Sequence, residues 1–384
     1  MIKKFLFIIL FTFCSFLLVQ NVVHADSLDD INPNESFIKA KILYVLSSKI
    51  HKFEDLTTYD EKLSAQLLEG KEKGKVIAIN YSGDIQFGNK LRFNKDDIVV
   101  IDRQVSTVGN AVYSLYEPYR LNSVLWIIFG FILLVLIIAG RKGIRSLLGL
   151  AISILTIIFY IIPHILDGQD PLTICLIGMG IILVFSTYLV HGVSIKTTVA
   201  VISTTLSLFF AIFLALLTVA FTHLLGLGNQ DIYNLQLGVS NKINPQGLLL
   251  GGILLGALGA LNDMTTTQAI TIFTLAKENP NQHFSHLLQK SMSIGKEHVA
   301  SMVNTLVLAY AGSSLAFFIF FSLNPARIPL WVIFNNETTV EEIIKSIVGS
   351  SALLLAVPIT TILGSYIALH WQKRNKKYYK GLTS

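Results

Sequence analysis

From Ser123 onward the chain is a series of apolar runs about twenty residues long, a pattern that no soluble architecture accommodates. Hydrocarbon holds no water to satisfy backbone N–H and C=O groups, so each run must pair its own backbone as a helix. Seven runs have the length, at residues 123–140, 144–163, 172–190, 197–225, 247–276, 299–322 and 343–370. Pro163 and Pro358 lie at the end of a run and within one, where kinks are tolerated. Phe284, Leu287, Leu288, Ser291 and Ile294 recur at helical spacing and predict a separate interfacial helix over 282–296. No internal repeat marks an inverted-repeat architecture. The expectation is an α-helical polytopic membrane protein with about seven transmembrane helices over residues 121–372, and a basic tail over 373–384.

The segment before these runs is different in kind. Residues 26–120 carry 13 Lys/Arg and 15 Asp/Glu, an ordinary soluble balance, whereas residues 121–384 carry 15 and 9. The net charge of +6 therefore comes from the ends of spans and not from a nucleic-acid-binding patch. Phe37 to Val45, Val76 to Tyr81 and Ile98 to Ile101 have the β-branched and aromatic character of strands. Ser82-Gly83-Asp84 and Phe87-Gly88-Asn89 are turn signals, and residues 46–75 are polar enough to read as helical or loose. One small β-rich domain is expected over 26–120. Gly70 to Lys75 superficially resembles a phosphate-binding loop, but it has three residues between its glycines where the motif needs four, and Val76 follows the lysine.

The first 25 residues read as a secretory signal. Lys3 and Lys4 precede an apolar stretch from Phe5 to Val19, and Val23-His24-Ala25 offers small residues where a signal peptidase reads. An uncleaved anchor helix is the rival reading, although the run is short for a span. Either way residues 26–120 go outside, and seven spans return the C-terminus to the inside. The inner loops and tail then hold Arg141, Lys142, Arg145, Lys196, Lys277, Lys290, Lys296, Lys373, Arg374, Lys376, Lys377 and Lys380. The outer segments hold only Lys242, Arg327 and Lys345. This asymmetry is the positive-inside pattern, reached independently of the signal. The two cysteines, Cys14 and Cys175, make no disulfide framework or thiolate metal site.

Of the nine acidic residues after position 120, eight lie in loops or at span ends, and Asp263 is the exception. An ionised carboxylate at mid-span costs roughly 2.5–3.5 kcal/mol on insertion scales, so it is either functional or neutral and bonded to a neighbouring helix. Asn262, Thr265, Thr266, Thr267 and Gln268 extend the polar patch, and three β-branched residues after Asn-Asp also fit a broken helix. Gly252, Gly256, Gly259 and Ala260 form a small-residue surface suited to close helix packing. Lys296, Glu297, His298, Ser301, Asn304 and Thr305 open the sixth run. Asn304 is the expected polar partner of Asp263 between the fifth and sixth runs, and Thr305 beside it belongs to the same expected intramembrane polar site. His298 has no companion at metal-ligand spacing.

The runs Gly256-Ala257-Leu258-Gly259-Ala260-Leu261-Asn262-Asp263, Ser293-Ile294-Gly295-Lys296-Glu297 and Asn304 to Gly312 resemble the YibE/F family of bacterial membrane proteins. Gly140-Arg141-Lys142-Gly143, the Pro163 to Pro171 loop and the exported domain fit the same pattern. Two departures accompany the resemblance: Asn262 stands where the family usually has an apolar residue, and Lys296-Glu297 where it often has Arg-Asp. The resemblance implies a plasma-membrane protein and names no substrate.

The expected function is that of a permease-like protein moving a small solute or ion, with Asp263 in its pathway. The alternative is a non-transporting scaffold or sensor whose outer domain binds a cell-envelope partner. The expected partners are the lipid bilayer, an unidentified small solute or ion and a further membrane protein, with no nucleic acid. No Ser/His, paired-Asp or metal constellation suggests an intramembrane enzyme, and no nucleotide-binding motif or other cofactor signature is present.

Overall fold

The structure is a computed structural model that describes residues 37–53, 56–70, 72–84, 93–105, 111–228, 232, 234–235, 243–323 and 327–381. The signal segment, Phe87-Gly88-Asn89 and the last three residues of the tail lie outside them. The chain forms two units, divided between Ile137 and Ile138.

The first unit contains five strands: β1 (Phe37–Phe53), β2 (Leu56–Leu67), β3 (Val76–Asp84), β4 (Ile98–Val105) and β5 (Ala111–Pro118). They close into a barrel in the order β1-β2-β3-β5-β4, with β3 and β5 parallel and the other neighbours antiparallel. This crossed order is a five-stranded Greek-key barrel of the OB type. Period-two alternation builds its core. Ile38, Ala40 and Ile42 point inward from β1, Leu63, Ala65 and Leu67 from β2, Ile77 and Ile79 from β3, and Val99 and Ile101 from β4. Ala40 pairs with Leu67 on one side and Val99 on the other, so one small residue seats two larger ones. Within residues 46–75, expected to be helical or loose, 46–53 instead complete β1 and 56–67 form β2. Their polarity belongs to a hairpin, in which the antiparallel ladder satisfies the backbone whatever the side chains are. Ser82-Gly83-Asp84 is likewise the end of β3 and not a turn.

The second unit is helical and its polarity is inverted. Phe209, Phe213, Phe221 and Trp331 face outward, while Ser203, Thr204, Ser207, Thr265, Thr360, Thr361 and Ser365 are buried. Apolar outside and small or hydroxylated inside suits helices that pack in lipid. Five helical segments among the described residues are long and apolar enough to cross a bilayer, the structure of a multi-pass membrane protein.

The first of these segments begins with α1 (Leu121–Thr156), followed by a π-helical turn (Ile157–Ile161) and α2 (Ile162–Leu166). Gly140 interrupts α1 with φ 53° and ψ −131°, a conformation open to glycine, so the single 46-residue segment holds two of the expected runs. The others are α3 (Pro171–His191), α4 (Ile195–Thr222), α5 (Pro245–Glu278) and a terminal helix that begins at Glu337. Their starts are written in the sequence: Asp170, Ser194 and Asn244 each cap a helix with a side-chain oxygen, and Pro171 and Pro245 follow two of the caps.

Between α5 and the terminal helix lie α6 (Phe284–Ser313), α7 (Leu315–Leu323) and α8 (Leu330–Phe334). The terminal helix is α9 (Glu337–Gly381), which carries the helical conformation through most of the expected tail. Two expectations are corrected here. The interfacial helix 282–296 and the sixth run are continuous in α6, which then stops at Ser314, so residues 299–322 are divided between α6 and α7. The Asn262 to Thr267 stretch lies in the unbroken α5, with Thr265 and Thr266 buried. α5 is the hub, packed against α3, α4, α6 and α9.

Candidate functional site

The polar patch of α5 is used residue by residue. Thr187 of α3 donates to Asn262 Oδ1 at 2.8 Å, and Thr265 and Thr204 of α4 share a hydroxyl–hydroxyl bond of 2.6 Å. Gln268 Nε2 donates to the Ser291 carbonyl of α6 and to Thr361 Oγ1 of α9, both at 2.8 Å. Three polar side chains within two turns thus tie α5 to four helices. Each such bond is worth roughly 0.6–2 kcal/mol in a bilayer.

Asp263 takes no part in this. Among the described residues it has no hydrogen bond or ion pair, and its carboxylate opens into a cavity of about 460 Å³. Ser146, Leu150 and Ser153 of α1 and Ile157 of the π turn form one wall. Ile182, Leu183, Ser186, Val190 and His191 of α3 form a second, and Leu255, Leu258, Gly259, Asn262 and Asp263 of α5 the third. The cavity runs from Ser146 to Ile157, roughly 16 Å along α1 at about 1.5 Å per residue, or half of a core about 30 Å thick. Asp263 is about 27 Å from the start of α5 and about 22 Å from its end, near the middle of the helix.

The two ends of the cavity differ in chemistry. His191 ends α3 at one of them, with Lys142 and Lys196 close enough to act on it electrostatically. Beyond Ile157, helices close on one another through glycine. A Cβ on Gly178 would stand 2.6 Å from Ile161, and one on Gly251 2.6 Å from Cys175 Sγ.

The pairing of Asp263 with Asn304 is corrected. α6 packs on Ala260 and Met264, while Gly259, Asn262 and Asp263 face α1 and α3. At about 100° per residue the centres of these faces are roughly a third of a turn apart, with Asp263 about 60° from Ala260. Asn304 and Thr305 are exposed and do not line the cavity, and Thr305 Oγ1 donates to the Ser301 carbonyl. Thr266 lies one turn from Asn262, buried, its hydroxyl without a partner among the described residues.

The small-residue surface also divides. Gly256 gives way to the Tyr310 hydroxyl and Ala260 packs against the α6 cluster, but nothing stands within 4 Å of a Cβ on Gly252 or Gly259. Tight glycine contacts include Gly149 against Ser186 and Val190, Gly178, Gly251, Gly295 against Val357, and Gly364 against Ile272. Sequence reasoning missed the α1 and α3 walls. Ser146, Gly149 and Ser153 recur at three- and four-residue spacing on one helical face, which was the available signal.

Residues 127–370, well over half of the chain and the whole of this site, match the YibE/F-like protein family. The chain belongs to the YibE/F-like family. No curated protein and no solved structure matches it. In this YibE/F-like chain Asn262, the departure noted above, is the residue that bonds Thr187, so the unusual amide has an interhelical role beside the free carboxylate.

Proposed function

We propose that this YibE/F-like protein is a permease-like transporter of a small solute or ion, with the Asp263 cavity as one half of its pathway. One observation carries this reading: Asp263, the ionisable side chain of the α5 patch, bonds no helix among the described residues and instead opens into a cavity with hydroxyl-bearing walls. A carboxylate kept only for packing would be bonded as its neighbours are. Seven spans with residues 26–120 outside fit the charge asymmetry, and in that topology Lys142 and Lys196 lie on the cytoplasmic side of a bacterial membrane.

A second reading has its own support. The bonds of Asn262, Thr265 and Gln268 show the same patch serving as helix glue, as expected of a scaffold or sensor. Flux through proteoliposomes separates the two. Full-length chain should move ions or small solutes across the liposome membrane in an electrical or isotope assay. Asp263→Asn should insert normally and lose that flux at least tenfold. Undiminished flux in the variant would remove Asp263 from the pathway, and no flux of any tested solute in the native chain would favour the scaffold.

A further inference from the structure

We infer that the Asp263 cavity binds a small monovalent cation, an alkali-metal ion or a protonated amine, and admits neither divalent cations nor anions. This names the substrate class of the proposed pathway and rests on that reading.

The polar lining is Asp263, Asn262, Ser146, Ser153, Ser186 and His191. All but the imidazole offer oxygen, and no thiol or thioether joins them, so the donors are hard. The carboxylate has both oxygens free among the described residues. Ser153 gives its proton to the Gly149 carbonyl at 3.1 Å, which leaves its oxygen lone pairs for a ligand. Thr187 occupies one acceptor position of Asn262 Oδ1 and leaves the other.

Charge selects the valence. No Lys or Arg lines the cavity, so its one carboxylate carries a single formal negative charge. In a low-dielectric setting a monovalent cation brings the site to neutrality. A divalent cation would leave a net positive charge, and an anion would face the carboxylate directly. Lys142 and Lys196 are exposed and do not line the cavity, so solvent screens them from Asp263. Space is also provided: Gly259, one turn before Asp263 on the same wall, has nothing within 4 Å of where a Cβ would stand. A partly hydrated ion fits beside the carboxylate there.

The test is thermal unfolding of the full chain in nanodiscs. Sodium, potassium and methylammonium chlorides are compared with choline chloride at equal ionic strength, and with magnesium and calcium chlorides. A small monovalent cation should raise Tm saturably by several degrees over choline. The shift should vanish in Asp263→Asn and return in Asp263→Glu. Gly259→Leu, which fills the space without touching the charge, should also abolish it, and it decides the matter should Asp263→Asn fail to fold. Sodium or potassium against methylammonium tells a metal ion from an amine. Saturable, Asp263-dependent stabilisation by magnesium or calcium alone would overturn the class and leave the pathway standing. Equal Tm in all salts, or an unchanged shift in Asp263→Asn and Gly259→Leu, would overturn the site. Monovalent stabilisation without flux in proteoliposomes would keep the site and sink transport.

Discussion

Asp263 and Asn262 are adjacent on α5 and both line the cavity, yet only Asn262 also holds Thr187. Single substitutions should separate them. Asn262→Leu should lower the stability of the helical unit by roughly 1 kcal/mol, read as a fall in Tm in nanodiscs, because Thr187 loses its acceptor. Asp263→Asn should leave Tm in choline chloride near the native value, since no bond is broken. Glu337 gives a sharper case. Its Oε1 accepts from the backbone N–H groups of Leu225, Gly226 and Leu227 at 2.9, 2.8 and 3.1 Å, and Glu341 accepts from Gly228 at 3.0 Å. These two acids hold the turn after α4 to the start of α9. Glu337→Ala should therefore cost about 2–3 kcal/mol, more than any surface carboxylate, and Glu337→Gln about half as much. A Glu337→Ala protein with native Tm would show that the clasp is dispensable.

At the scale of elements, the barrel closes on its own alternating core, so residues 26–120 should form a soluble, monomeric β domain when expressed alone. A disordered circular-dichroism spectrum would contradict this. Its stability should depend weakly on acid. Lys75 and the Tyr113 hydroxyl, both donating to Glu72, hold that carboxyl below its ordinary range, and Lys41 does the same for Asp96. A depressed carboxyl stabilises the fold fully above its ordinary pKa near 4 and loses that contribution as pH falls through the folded value. The domain's Tm should thus be level above about pH 5 and decline below pH 4, by a small amount because both groups are solvent-facing. In the helical unit the corresponding pressure point is the seam of the π turn, α3 and α5. Gly178→Leu should be destabilising by roughly 1–3 kcal/mol, because Ile161 cannot retreat from a core that also holds Tyr160.

For the whole molecule, the connection at Gly140 sets the count of crossings. With a reversal there, a reporter active only outside the cytoplasm should work when fused after Arg120 and fail when fused after Gly381. A signal from the C-terminal fusion would mean that one crossing has been counted wrongly, and α6 with α7 is where it would be sought. α6 breaks at Ser314, and neither piece is among the segments long and apolar enough to cross.

Much of this architecture was legible in the sequence because it depends on local chemistry. Backbone groups in hydrocarbon must pair within their own run, so apolar length located α3, α4 and α5. Asp263 stood out for the same reason, as a charge whose solvation is lost wherever the helix packs. Other features were not local. Whether residues 46–75 paired as a hairpin depended on the strand opposite, and whether Gly259 packed or lined a cavity depended on which helix lay across from it. Composition and spacing put Asn304 within plausible reach of Asp263, but rotation about α5 turned Ala260 toward α6 and the carboxylate toward α1 and α3. A helix displays every face in its sequence, and only the packing of its neighbours decides which face meets which partner.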